Sequence, residues 1–274
     1  MDLKYRKLIA RIKPLHEICR VLMYNSGIVY YKLHCRQHQE RLKQIKNSHD
    51  GERCFIIGNG PSLAVEDLNR LTNEDCFGVN EIHRIFSQTN WRPKYYLIMD
   101  RYSKSTPEQI RDIQSETVFL GDYYCRFNEV LRQDYLCVHQ HYCYGGKYDR
   151  VSSDISREVI NSPTVSTAAM QIAAYLGYKE IYLLGFDHNY AFEFADDGSV
   201  VRTDQKGAHF FEDDVPEDII ANVWGMTQAY KGFKRYADEH HIVVRNATRG
   251  GKLEVFERVN FDDVVGAARS TSVK

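Results

Sequence analysis

The sequence predicts an α/β fold with a Rossmann-like, mainly parallel sheet, a helical basic arm ahead of it and a lid loop late in the chain. Three observations predict it. From Arg53 onward, short apolar runs alternate with helical or loop segments, the order that builds parallel sheets. The first run, RCFIIG, breaks into Asn59-Gly60-Pro61-Ser62 after Gly58, and ligands of open α/β sheets bind where strands end in such turns. Residues 1–49 hold eleven Lys/Arg against three Asp/Glu in a chain of net charge −1, so a basic arm precedes an acidic body.

Composition narrows the class. A chain of 274 residues, 43% hydrophobic and 27% charged, has material for a large core and is neither disordered nor collagen-like. Seven cysteines without a CxxC pair, and no secretory leader pattern, predict a reduced, cytoplasmic protein. An acidic body argues against nucleic acid as its ligand.

The elements follow in order. Residues 1–50 form the arm, in which Leu8, Ile12, Leu15, Ile18, Cys19 and Leu22 share a helical face. Arg20, Asn25 and Lys32 interrupt its apolar windows, so it does not span a bilayer. Two readings stay open: the arm lies on an inner-membrane surface, or it packs on the body or on a second subunit of a homo-oligomer. The polar KNSHDGER marks the boundary to a single nucleotide-binding domain over 51–274. Its strands are RCFIIG, CFGVN, YYLIMD, TVFLG, YLCVH, EIYLLGFD and IVVRNAT. The clearest helix is SPTVSTAAMQIAAYLGY, with Ser162 or Thr164 as cap, Pro163 near the start and Gly177 at the end. Residues 191–217, polar, acidic and glycine-punctuated, form the expected lid.

Two familiar glycine loops fail against Gly58–Ser62. A dinucleotide fingerprint needs Gly or Ala where Leu63 stands and an acid where the second strand ends in Asn80. A Walker A loop needs Gly-Lys-Ser/Thr, which does not follow Gly58. Asn59, Asn80 and Asp100 close three successive strands, so their side chains converge along one edge and suit a nucleotide's polar groups. The alternative is that each merely starts a turn. In CVHQHYC, Cys137, His139, His141 and Cys143 share one face if the segment is a strand, but that spacing is too wide for four ligands on one zinc, and no metal site is expected. His240 and His241 are expected to cap a helix C-terminus. The tyrosines of HYCYGGKYDR suit contact with a sugar.

IIGNGPSL, GVNEI, LIMD and SPTVSTAAMQIAAYLGYKEIYLLGFDHNYAF together resemble the bacterial sialyltransferases of glycosyltransferase family 42 and the wider DUF115 group, over roughly 53–192. VVRNATRGGKLEVFERVNFDDV resembles the DUF115 C-terminus. The resemblance implies a GT-A-variant-like domain that binds a CMP-sugar without a required cofactor. It implies nucleotide contacts from Gly58, Asn59, Gly60, Pro61, Ser62 and Asn80. Asp100 stands where the family usually has Asn. Thr164 and Ser166 partly match a Thr-Ser-Gly element that contacts the nucleotide from a helix start, and Asp187 matches the Asp of the family's GFD block, a nucleotide contact near the cytosine and ribose. Tyr190 matches one of two tyrosines that steady the departing phosphate. The general base would be His209 in the lid, with Asp213 as the alternative. The implied partners are a CMP-sugar donor, with sialic acid, another nonulosonate or a Kdo-type sugar, and a glycan or lipid-linked acceptor of the kind used in cell-surface polysaccharide or lipopolysaccharide synthesis. A base beside the acceptor hydroxyl and donors on the leaving phosphate are what sugar transfer requires. The DUF115 group also resembles archaeal 6-hydroxymethylpterin diphosphokinases, a chemistry that needs Mg²⁺ on carboxylates such as Asp100 and Asp187. A non-catalytic nucleotide-binding or assembly protein is the third reading.

Overall fold

The computed structural model describes residues 22, 26–99, 105–142, 147–190, 192–194, 200–202 and 221–266, the side chains of 192–194 and 200–202 excepted. Two helices of the arm, α1 (26–34) and α2 (Arg36–Gln44), come first. The body begins with β1 (Arg53–Ile57), α3 (Val65–Asn69), β2 (Cys76–Val79) and a 3-10 turn over Asn80–Ile85. It continues through β3 (Tyr95–Ile98), α4 (Pro107–Arg111), β4 (Thr117–Gly121), α5 (Asp122–Phe127) and β5 (Tyr135–Val138). After β6 (Gln140–Tyr142) and β7 (Val159–Asn161) come α6 (Val165–Leu176) and β8 (Glu180–Leu184). The last elements are β9 (Phe192–Phe194), β10 (Val200–Arg202), α7 (Val223–Glu239), β11 (Val243–Asn246), β12 (Glu257–Arg258) and α8 (Phe261–Gly266).

Eight strands form one sheet in the order β12-β11-β8-β1-β2-β3-β4-β5, every neighbouring pair parallel. The strands step outward from β1 to β5, and the chain then crosses back to lay β8 on the other side of β1. The direction of winding therefore reverses between β1 and β8, the position where open α/β sheets present a crevice beyond their carboxyl ends. Both faces are covered, so alternation along a strand sorts residues between two cores and every run reads as apolar. Cys54 and Ile56 of β1 join Phe77, Leu97 and α6 in one core, while Phe55 and Ile57 join Cys76, Tyr96, Ile98 and Phe261 in the other. Small side chains let α6 lie close on the sheet, with Ala168, Ala169 and Ala173 buried beside Met170 and Ile172. It ends at Gly177, whose φ of 101° is left-handed, as a helix-terminating glycine requires.

The condition on which CVHQHYC would place its Cys and His residues on one face, a continuous strand, is not met over 137–142. β5 stops at Val138, and β6 resumes at Gln140 in a separate two-stranded sheet with β7. Asp122 causes the break by accepting from the Gln140 N–H (2.9 Å) and bonding His139 Nδ1 (2.8 Å), which draws the chain out of the ladder.

The described part of the arm packs on β5, the terminal strand of the large sheet. Arg41 donates to the carbonyl of Tyr135 (3.2 Å), Tyr31 to that of Cys137 (3.4 Å), and the Cys137 N–H donates to His38 Nδ1 (3.3 Å). Leu42 is fully buried, whereas Leu22, Val29 and Leu33 point outward. No described helix is long and apolar enough to cross a membrane.

Candidate active site

The turns after β1 and β8 interlock at the winding reversal. The N–H of Gly58 donates to the carbonyl of Leu184 (2.8 Å), and that of Gly60 to the carbonyl of Gly185 (2.9 Å). Two backbones approach here more closely than a side chain permits. A Cβ on Gly58 would lie 2.5 Å from the Gly185 oxygen, and one on Gly60 1.9 Å from Asp187 Oδ2. Glycine is required by this approach. The Asp187 carboxylate then fastens the turn, accepting from Ser62 Oγ (2.8 Å) and from the Ser62 N–H (3.3 Å). Asp187 is buried, while Pro61 is exposed at the rim.

Asn59 and Asn80 meet across this crevice. Asn59 Nδ2 donates to the carbonyl of Val79 (3.2 Å), tying the glycine turn to the end of β2. Asn80 opens the 3-10 turn with φ of 47°, a left-handed conformation that Asn tolerates better than most residues. The hydroxyl of Tyr96 donates to its carbonyl. The side-chain oxygens of Asn59 and Asn80 are both shut off from solvent with no hydrogen-bond partner among the described residues. A buried acceptor left unpaired costs about 1–3 kcal/mol, so two at one crevice mark a place where a donor beyond the described residues would be favoured.

Thr164 and Ser166 stand at the start of α6. The Thr164 hydroxyl accepts from the Ser166 N–H (3.3 Å) and lies 3.4 Å from the Tyr230 hydroxyl. Because α6 descends to enter β8 at the amino edge of the sheet, its N-terminus lies at the carboxyl edge, on the side of the glycine turn. Its dipole and first-turn N–H groups favour negative charge there. Tyr190 is half-buried, its ring 6.1 Å from that of His188. The crevice thus gathers Gly58, Asn59, Gly60, Ser62, Asn80 and Asp187. Asp100, His209, Asp213 and most of the expected lid lie outside the described residues.

Sequence reasoning passed over His188 and Lys252. His188 has φ of 50° and its Nε2 lies 2.9 Å from Thr227 Oγ1. Burial, with Lys252 beside it, pushes the imidazole down to about 4, so it is neutral at neutral pH. The Lys252 N–H donates to the Asp187 carbonyl (2.7 Å), and Gly251, with φ of 79°, lets the segment press against Asp187. The RGGK stretch was the available signal, since paired glycines announce a close backbone approach.

The histidines of CVHQHYC are used separately. His139 pairs with buried Asp122, and His141 with Glu158 (2.9 Å), which that contact holds below the usual carboxylate range. Among the described residues, the group spaced to hold a metal ion is His49, Glu52 and Asp75, at the amino edge of the sheet. Asp75 is already engaged there by Lys94 (2.9 Å) and the Tyr178 hydroxyl. His240 Nδ1 lies 2.8 Å from the Tyr236 carbonyl at the end of α7.

A family model described as 6-hydroxymethylpterin diphosphokinase MptE-like matches residues 30–193. The chain belongs to this family. Among curated proteins none matches. Among solved structures, the MAf glycosyltransferase of Magnetospirillum magneticum AMB-1 is 16% identical with a TM-score of 0.49, over 82% of this chain and 38% of that one. The chain thus corresponds to well under half of that protein. The sialyltransferase CstII of Campylobacter jejuni in complex with cytidine-5'-monophosphate is 16% identical with a TM-score of 0.44, over 77% of this chain and 85% of that one. Its complex with CMP-3FNeuAc gives 17% and 0.44, over 76% and 86%. Likeness at this level carries no functional weight; the family is established by its model and the fold by the topology described above.

Proposed function

We propose that the protein is a glycosyltransferase that takes its sugar from a CMP donor, carrying sialic acid, another nonulosonate or a Kdo-type sugar, and passes it to a glycan or lipid-linked acceptor. The observation that carries this reading is the pair of buried amide oxygens of Asn59 and Asn80 beside the glycine turn, which have no partner among the described residues. Ribose hydroxyls and the amino group of cytosine are donors suited to them. The start of α6 supplies the positive end of a helix for the donor's phosphate, Tyr190 steadies that phosphate as it leaves, and His209, or Asp213, takes the acceptor's proton. No metal is required, since the leaving group is stabilised by protein donors.

The family's own description favours a second reading, a Mg²⁺-dependent pyrophosphokinase. It needs two carboxylates on the metal, and Asp187, one of the expected pair, is committed to Ser62.

A thermal-shift panel of CMP, CDP, CTP, AMP and ATP, each with Mg²⁺ and with EDTA, separates the readings. A ligand at 100 times its Kd adds about 2.7 kcal/mol to the folded state. Stabilisation by CMP or CDP irrespective of metal is expected. Asn80→Gly, which keeps the left-handed backbone accessible, should reduce that shift, whereas His209→Ala should preserve it and abolish transfer. A response to ATP only with Mg²⁺ would replace this reading by the pyrophosphokinase. Silence throughout would favour a non-catalytic role.

A further inference from the structure

Beside the crevice lies a cavity of about 520 Å³, within the range of small-molecule sites. Its long wall is α7, where Thr227, Lys231 and Lys234 recur at helical spacing on one face and Arg235 adjoins them. Lys252 and Glu254 face them from the segment after the paired glycines, and His188 adjoins Thr227. The Thr227 hydroxyl gives its proton to the Val223 carbonyl (2.9 Å), so the His188 contact is made by an Nε2–H donating to Thr227. Burial and the neighbouring Lys252 push its imidazole down to about 4, so His188 contributes no charge at neutral pH.

The charge of the cavity comes from the lysines. Lys234 is paired with Asp238 (2.8 Å) and Arg235 with Asp149 (2.7 Å). Glu254, the acid in the wall, is held by Arg258 (2.8 Å). Lys231 and Lys252 have no carboxylate partner among the described residues. Two uncompensated ammonium groups facing one cavity attract a multiply charged anion, and ammonium groups bind phosphate oxygens well. Leu253 and Val255 add apolar wall for whatever the anion is attached to.

The cavity does not coincide with the glycine turn; the two share a wall. Asp187 fastens Ser62 with its carboxylate and accepts from Lys252 with its carbonyl, and His188 is the next residue. An anion at Lys231 and Lys252 thus lies beside the nucleotide crevice. We propose that this cavity receives a phosphate- or diphosphate-bearing acceptor, held by Lys231 and Lys252. The assignment to the acceptor rests on the donor reading given above.

Isothermal titration with inorganic pyrophosphate, with and without saturating CMP, tests it on the wild type, Lys231→Met, Lys252→Met, the double variant and Lys43→Met, whose lysine lies on α2 in an exposed pair with Glu40. The double variant should bind pyrophosphate at least about tenfold more weakly, the scale of a lost charge-assisted hydrogen bond. Lys43→Met should match the wild type, and CMP should leave pyrophosphate affinity unchanged. Unaltered affinity in the double variant, or an equal loss in Lys43→Met, overturns the site. Displacement of pyrophosphate by CMP overturns the assignment to the acceptor and gives the cavity to the donor's phosphates. Failure of CMP to bind, with pyrophosphate still lost in the double variant, fells the donor reading and leaves the anion site standing.

Discussion

His188 shows how far a single side chain can be moved by its surroundings. Its ordinary value is near 6.5, and burial beside Lys252 brings it to about 4 in the folded chain. Between those values the unfolded chain binds the proton and the folded chain does not, so stability falls as pH is lowered through that window. Burial also lowers His38 and His83, which add to the same trend. In urea melts at pH 7 and pH 5, His188→Gln should lose less stability than the wild type between the two. An equal loss would mean that His188 does not titrate across that range. None of this was legible in the sequence, where His188 is one of 11 histidines. Its burial depends on Thr227 and Lys252, both far along the chain, and no local spacing announces them.

At the scale of the element, the β1 turn is the feature that the sequence displayed best. Four apolar or thiol residues running into Gly-Asn-Gly are a local signal, and the strand, the turn and its place at the carboxyl edge all follow from it. The reason for the glycines was hidden, because the atoms they avoid, Gly185 O and Asp187 Oδ2, belong to the turn after β8. Asp187 was singled out as a nucleotide contact, and in the structure its carboxylate holds Ser62. Gly60→Ala should therefore force the two turns apart. An insertion of this kind costs about 1–3 kcal/mol, read as a lower urea midpoint, together with loss of nucleotide binding. Unchanged stability would show that the turns separate freely. The broken strand at His139 has the same lesson. Alternation over CVHQHYC was genuine up to Val138, and the element then obeyed Asp122, a residue that no pattern within the segment reveals.

For the molecule as a whole, the apolar runs sufficed to predict a parallel sheet, since parallel strands buried on both faces read as continuous hydrophobic segments. The place of the arm was not legible, because amphipathic basic helices suit lipid and protein alike. In the structure, α1 and α2 satisfy backbone groups of β5 through Tyr31, His38 and Arg41. A terminal strand so covered is closed to pairing with another chain. Removal of residues 1–50 should expose that strand. In size-exclusion chromatography with light scattering, the shortened chain should elute as larger species than the intact one and melt at a lower temperature. Identical mass and melting would mean that the arm is dispensable to the sheet.

The pairing of β1 with β8 also fixes a sequence of events during synthesis. Residues 53–57 leave the ribosome long before their partners at 180–184, and contacts so distant along the chain form slowly. Until β8 arrives, β1 has an open side and the Gly-Asn-Gly turn has no opposite wall. The nascent protein must therefore carry β1 open on one side while all the residues between β1 and β8 are made, and the candidate crevice gains its second wall only once β8 has emerged.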